Sequence, residues 1–180
     1  MKRILASVVI AAGMASPAVA EGLENWYVGA GTLESEVEAP IVTLEDSGFA
    51  LTLGYSFEVI EGLDTAAEYT YTRVMKFDAK DNTVNKSADI NTMDLSLVVG
   101  KEFQFVAPFV RLGFSRIDAD VFLTGNGASL RSDGDSNALI WGVGLDVPFQ
   151  KSASVRFEYT AAEYDKTDLS SLRLGLITHF

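Results

Sequence analysis

Residues 169–180 alternate between two kinds of side chain with a period of two, and this stretch constrains the fold more than any other in the chain. One face reads Leu172, Leu174, Leu176, Thr178 and Phe180, while the other reads Ser171, Arg173, Gly175, Ile177 and His179. Successive side chains of a strand point to opposite faces, so this is a β-strand meeting two environments, one oily and one that tolerates an arginine. It runs to the final residue with no polar tail.

The start of the chain narrows the environment. Met1-Lys2-Arg3 is a short cationic opening, Ile4 to Met14 is an apolar core, and Ala18-Val19-Ala20 is a small-x-small site before Glu21. Together they predict a signal peptide over residues 1–20, cleaved between Ala20 and Glu21. The core is too short for a transmembrane helix, and Pro17 interrupts its end. No later stretch offers about 18 consecutive apolar residues, so membrane insertion of the mature chain requires a closed barrel.

Strand-like segments recur through residues 21–180. Eight are expected, at 25–34, 48–57, 63–75, 90–101, 107–118, 137–147, 153–164 and 169–180. Their lengths suit a tilted membrane strand better than the five or six residues usual in soluble sheets. Links at 58–62, 102–106 and 148–152 are short, whereas those at 35–47, 76–89 and 119–136 are long; the last, 165–168, is short again. Short turns at one end and long loops at the other fit a membrane barrel, and closing strand eight on strand one removes the free sheet edges.

The two faces say which side is out. Strand two sets Phe49, Leu51, Leu53, Tyr55 and Phe57 against Ala50, Thr52, Gly54 and Ser56; strand six sets Leu139, Trp141, Val143, Leu145 and Val147 against Ala138, Ile140, Gly142, Gly144 and Asp146. In a narrow barrel the small residues must point inward, which turns the bulky apolar set toward lipid; a soluble ligand-binding barrel would reverse this polarity. The expected fold class is all-β, an eight-stranded antiparallel up-and-down transmembrane β-barrel spanning residues 21–180. Trp26, Phe57, Phe103, Phe105, Phe149 and Phe180 fall near the short-turn end, and Phe49, Tyr71 and Tyr159 near the long links, as two interfacial girdles would.

Charge and composition exclude several functions. The 180 residues carry 25 acidic and 14 basic side chains; without Lys2 and Arg3 the balance is 12 basic against 25 acidic, about −13. Nucleic acid is thereby excluded as a partner, because phosphate binding needs a basic surface. With no cysteine there is no disulfide, thiolate metal site, cysteine nucleophile or lipidated cysteine.

Five segments carry a family resemblance: Trp26-Tyr-Val-Gly-Ala-Gly31, Pro108-Phe-Val-Arg-Leu-Gly-Phe114, Trp141-Gly-Val-Gly-Leu-Asp-Val147, Val155-Arg-Phe-Glu-Tyr159, and Arg173-Leu-Gly-Leu176 with the terminal Phe180. In that order and spacing the mature chain resembles the small outer-membrane β-barrel proteins, OmpA-like, OmpX-like or opacity-type, also labelled porin family. The resemblance implies residence in the outer membrane among lipid and lipopolysaccharide, insertion by the barrel-assembly machinery with Phe180 as its terminal signal, and loops open to an extracellular ligand or protein. The chain ends at the barrel, so the peptidoglycan-binding domain of full-length OmpA is not expected. A monomer without cofactors is expected.

By parity the interior receives Glu68, Asp94, Arg111, Arg156, Glu158 and Arg173, acids and bases interleaved. The turn near residue 166 sets Glu158 opposite Arg173, and the 102–106 turn sets Asp94 diagonal to Arg111, with Gly142 and Gly144 beside Glu158 and Arg156. This is read as an ionic network filling the lumen. A gated pore is the alternative, disfavoured because eight strands leave an interior just wide enough for side chains.

Catalysis is not expected. Some barrels that this one resembles are lipid-modifying enzymes or proteases with a histidine at the outer rim, but the single histidine here, His179, belongs to the opposite end. The loops are acidic, with Glu34, Glu36, Glu38, Glu45 and Asp46 in the first and Asp118, Asp120, Asp133 and Asp135 around the third. Residues 133–137 begin like a calcium loop, yet Ala138 stands where glycine is required and Gly144 where the closing acid belongs, so no dedicated metal site is expected. Asn126-Gly127 has the chemistry of a hairpin tip that could offer a sheet edge to a partner strand; an ordered loop is the plainer expectation.

Overall fold

The structure, a computed structural model, describes residues 23–39, 42–81, 84–125, 128–164 and 167–180. The leader, with Ala20 and Glu21, lies outside the described residues. Eight strands follow one another: β1 (Trp26–Ala39), β2 (Val42–Phe57), β3 (Asp64–Asp81), β4 (Val84–Gly100), β5 (Ala107–Gly125), β6 (Ala128–Gln150), β7 (Ala153–Tyr164) and β8 (Thr167–His179). Each pairs antiparallel with the next, and β8 returns to β1, closing the barrel. Closure lets every strand satisfy its backbone groups on both sides, which a hydrocarbon environment demands.

The register fixes the barrel's shape. Following Cα partners round the wall leads from Trp26 through Tyr55, Ala67, Leu97, Leu112, Trp141, Ala161 and Ser170 back to β1 at Glu36, a displacement of 10 residues (36 minus 26). Eight strands with that stagger tilt by roughly 40° and leave an interior that side chains fill. The expected alternation holds along this line, whose residues all face outward.

One end is closed by tight connections. Leu63 N–H donates to Ile60 O at 3.0 Å beside Gly62, whose φ of 82° suits glycine. Phe103 N–H donates to Val106 O at 2.8 Å in the next turn. Pro108, the second residue of β5, lies just beyond the last β4 pair, Gly100↔Phe109, and Pro148 sits at the register shift of β6, places where a sheet tolerates a residue without an N–H. At the seam, Phe180 N–H donates to Trp26 O at 3.1 Å.

The opposite end differs from expectation. The stretches 35–47, 76–89 and 119–136 are predominantly strand rather than loop: β1 and β2 stay paired to Ala39↔Val42, β3 and β4 to Asp81↔Val84, and β5 and β6 to Gly125↔Ala128. The hairpin reading of 121–130 is the correct one, although Asn126 and Gly127 themselves lie outside the described residues. These stretches read as loops because, beyond the lipid, both faces of a strand are wet and the apolar alternation fades while the backbone ladder continues.

The outer face is an apolar belt. Leu51, Leu53, Leu95, Leu97, Val110, Leu112, Phe114, Leu139, Trp141 and Leu172 are all exposed, Phe114 to 69%. So large a continuous patch demands a hydrocarbon neighbour. Trp26 packs on Tyr55 at 5.1 Å between ring centroids and Tyr55 on Phe57 at 6.4 Å, with Phe149 exposed at the same end. Toward the other end Phe49 meets Tyr71 at 6.4 Å and Trp141 meets Tyr159 at 5.9 Å.

Candidate functional site

The inward-facing residues form three layers. Nearest the short turns, Tyr27, Ala66, Val98, Phe109 and Ile177 make an apolar cluster. Its glycines are structural: Gly54 lies under the ring of Tyr27 and Gly144 under that of Phe109, and a Cβ at either would overlap the ring. At the far rim Leu33, Ala50, Val74, Ile90, Ile117, Ala138, Ile140, Ala162, Tyr164 and Leu169 make a second cluster. Most of the buried charges sit between the two, while Asp146 reaches the short-turn mouth.

These charges form a chain of alternating sign. Arg156 holds Asp146 in a bidentate pair, Nε to Oδ1 and Nη2 to Oδ2, both 2.8 Å, and its Nη1 reaches Glu68 Oε1 at 2.6 Å. The Tyr27 hydroxyl also donates to Glu68 Oε1, and Arg111 Nη2 donates to its other oxygen. Arg111 Nε lies 2.7 Å from Glu158 Oε1, a charge contact too bent for a hydrogen bond, and Arg173 Nη1 donates to Glu158 Oε2 at 3.1 Å. The order is therefore Asp146, Arg156, Glu68, Arg111, Glu158, Arg173: three acids and three bases drawn from β3, β5, β6, β7 and β8. Glu68 is 0% exposed and accepts from three donors, which is what a buried carboxylate needs to remain in place. Thr70 and Thr72 accept the remaining contacts of Arg111 and Arg173 at 3.3 and 3.5 Å. The Arg156 guanidinium also lies over the Phe109 ring, 4.5 Å from its centroid, joining the charged layer to the apolar one.

The register places Glu158 opposite Arg173. It does not place Asp94 diagonal to Arg111: Val98 stands opposite Arg111, and Asp94 stands opposite Ser115. The turn after β4, closed by the Phe103–Val106 hydrogen bond, sets that register, and Asp94 accepts from Ser115 Oγ at 2.5 Å, with Tyr164 Oη 2.5 Å beyond it. Nor do the glycines line up with the arginine: Gly144 faces Glu158 and Gly142 faces Thr160, while Arg156 faces Asp146. Asp146 and Tyr27 complete the chain but are missing from the expected set. Asp146 sits on the inward face of strand six by parity, so its position is legible; only the register across the 151–152 turn makes it Arg156's partner. Between the ionic chain and the upper cluster is a cavity of about 20 Å³, room for a single water, lined by Thr72, Asp94, Ser115, Ser171 and Arg173 among others.

Among the described residues no group of three or more histidine, aspartate or glutamate side chains is arranged to hold a metal ion. Residues 133–137, which begin like a calcium loop, are extended strand in β6. His179 lies at the short-turn end, its ring 5.0 Å from that of Tyr27.

Known structures share this architecture. The attachment invasion locus protein Ail of Yersinia pestis is 18% identical, with 87% of this chain and 99% of Ail aligned at a TM-score of 0.64. Neisserial surface protein A is 17% identical over 87% of this chain and 97% of its own, with a TM-score of 0.65. The N-terminal β-barrel domain of Pseudomonas aeruginosa OprF is 12% identical over 87% and 98%, with a TM-score of 0.56. At such identities the likeness is one of fold. No curated protein sequence matches the chain. The family model for the outer membrane protein β-barrel domain matches residues 5–180, and with a closed eight-stranded barrel whose bulky apolar face is outward, the chain belongs to that family and resides in the outer membrane.

Proposed function

We propose that this protein is a non-conducting, non-enzymatic barrel that presents its extended hairpins to a partner at the cell surface. The observation that carries this reading is the filling of the interior: the buried pairs of Glu68, Arg111, Glu158 and Arg173 lie between two apolar clusters, with Asp146 alone of the ionic chain reaching the wetter short-turn mouth. Water or a solute would have to pass both clusters and break several buried ion pairs, each at a cost of several kcal/mol. Lipid and lipopolysaccharide surround the belt, the assembly machinery acts during insertion, and the barrel works as a monomer.

Ail has been crystallised with the heparin analogue sucrose octasulfate. That ligand chemistry does not suit this chain. Its distal segments 34–47, 73–91, 116–137 and 163–170 hold 15 acidic and 7 basic residues, a field that repels a polysulfate. The position of His179 supports the non-enzymatic reading, since it is far from the rim where lipopolysaccharide and extracellular peptides arrive.

Reconstitution in a planar lipid bilayer tests the proposal. The expected trace lacks stable openings in the parent, and still lacks them when Phe109→Ala and Ile177→Ala thin the lower cluster, because the ion pairs and the upper cluster remain. Stable openings in the parent that vanish on neutralising Glu158 or Arg173 would instead establish a narrow pore, and lipid A turnover by the purified barrel would establish an enzyme.

A further inference from the structure

The short-turn end of the barrel has two unlike sides. Glu58 and Gly62 of the β2–β3 turn, Asp64 beside it, Glu102 of the β4–β5 turn and Lys151 of the β6–β7 turn line the mouth of the barrel, a cavity of about 730 Å³. The apolar residues of the same connections do not line it and stand exposed: Val59 to 66%, Ile60 to 59%, Phe103 to 51%, Phe105 to 71%, and Phe149 at the foot of β6 to 56%. Short turns of an outer-membrane barrel face the periplasm, and a turn bathed in water is built from small and polar residues. Bulky apolar tips on all three connections are instead the mark of a contact surface.

The lipid belt indicates what covers it. On β2 the outward row is Phe49, Leu51, Leu53, Tyr55 and Phe57. Upward the row ends at charge, because Phe49 pairs with Arg73 on β3 and with Thr32 on β1, whose next outward residue is Glu34. Downward it runs through the stacked rings of Tyr55 and Phe57 to Val59, two residues further on. From Phe49 to Phe57 the wall rises about 20 Å along the barrel axis, taking about 3.3 Å per residue and about 40° of tilt, against an apolar band about 25 Å tall. The band therefore reaches past Phe57, and the turn tip meets its boundary. At the β4–β5 turn the Lys101 ammonium lies over the Phe103 ring, 5.9 Å from its centroid, a pairing suited to the level where headgroups begin. The three connections are spread around a closed barrel and are continuous with the belt, so a lipid layer fits them all, whereas a protein docked on one side would not.

We propose that the short turns are themselves embedded in the membrane: Val59, Ile60, Phe103, Phe105 and Phe149 enter the headgroup and glycerol layer of the periplasmic leaflet, to a depth of about 5–10 Å. Glu58, Asp64, Glu102 and Lys151, on the inner side of the same turns, keep the mouth wet at that depth. Phospholipid headgroups are thus the partner of this face, and the barrel ends within the lipid layer instead of standing clear of it.

The chain contains no cysteine, so single cysteines can each carry one nitroxide label. In phospholipid nanodiscs, labels on Ile60→Cys and Phe105→Cys are expected to be relaxed by dissolved oxygen in preference to a water-soluble nickel chelate. Labels on Glu58→Cys and Lys151→Cys, in the mouth, are expected to favour the chelate, with the oxygen-to-chelate ratio at least about fivefold lower than at the tips. The heat-dependent gel shift identifies the folded variants, and if a tip variant fails to fold, Val59→Cys or Phe103→Cys reads the same turn. Equal chelate access at the tips and in the mouth would overturn the proposal. Tips open to chelate in nanodiscs but closed to it in outer-membrane fragments would give the face to a protein partner and overturn it too. Tips shielded from oxygen and chelate alike would show that they pack against the barrel itself, a third outcome against it. These labels read the depth of the turns alone, so their result is independent of the conductance trace.

Discussion

Glu68 is the residue on which the interior depends. It accepts from Tyr27, Arg156 and Arg111 at once, so its removal leaves a buried hydroxyl and one arm of each of two guanidiniums without an acceptor and the interior with an uncompensated positive charge. Glu68→Ala is expected to cost at least about 3–5 kcal/mol of unfolding free energy in urea titrations of the lipid-reconstituted barrel, whereas Asp146→Ala, at the wetter end of the chain, should cost about 1 kcal/mol. For Glu158 and Arg173, either single alanine should destabilise more than replacement of both by matched apolar residues; single variants that unfold with the parent would remove the pairing from the stability of the fold. The glycines beneath the rings make a second prediction. Gly54→Ala and Gly144→Ala should each lose about 1–3 kcal/mol by displacing Tyr27 and Phe109, and each should be partly rescued by shortening the ring partner to leucine. The acids and bases of the network are readable residue by residue from strand parity. Their partners are not, because one step of register decides whether Asp94 meets a guanidinium or Ser115.

At the scale of the element, the segments crossing the lipid were recognisable because two unlike environments write a period of two into the sequence. Beyond the rim that contrast disappears, so β5 and β6 continue for many residues that read as loop. The same reasoning separates what holds the barrel together from what projects from it. The lower cluster and the ionic chain lie below the Ile140↔Ala162 pair at which β6 parts from β7, and on those two strands the belt and the upper cluster pass it only at Leu139, Ala138 and Tyr164. Replacing residues 121–132, whose ends pair as Val121↔Ser132, by a two-residue turn is therefore expected to leave the heat-dependent gel shift and the melting temperature within a few degrees of the parent. A barrel that no longer folded after this excision would place a core function in the hairpin.

For the whole molecule, the leader remains to be connected to the barrel. If residues 1–20 direct export and are then removed, intact mass measured on protein from outer membranes should correspond to a chain beginning at Glu21; a mass retaining residues 1–20 would reject that cleavage. The architecture follows from the sequence in large part, since eight two-faced strands with small residues inward leave few ways to close. What the sequence conceals is the coordination across the lumen, where residues far apart in the chain meet.

That cross-lumen coordination bears on how the barrel is made. Arg156 and Glu68 are 88 residues apart and sit on β7 and β3, strands that are not neighbours in the sheet. A partly built sheet holding β3 to β6 but not yet β7 would leave Glu68 with only one of its two guanidinium partners and Asp146 with none, and hydrocarbon would penalise the uncompensated charge heavily. Contacts of such long sequence separation form late. The alternating chain of charge thus acts as a toll on premature insertion: crossing the membrane becomes favourable only when curling and closing have brought the last strands home.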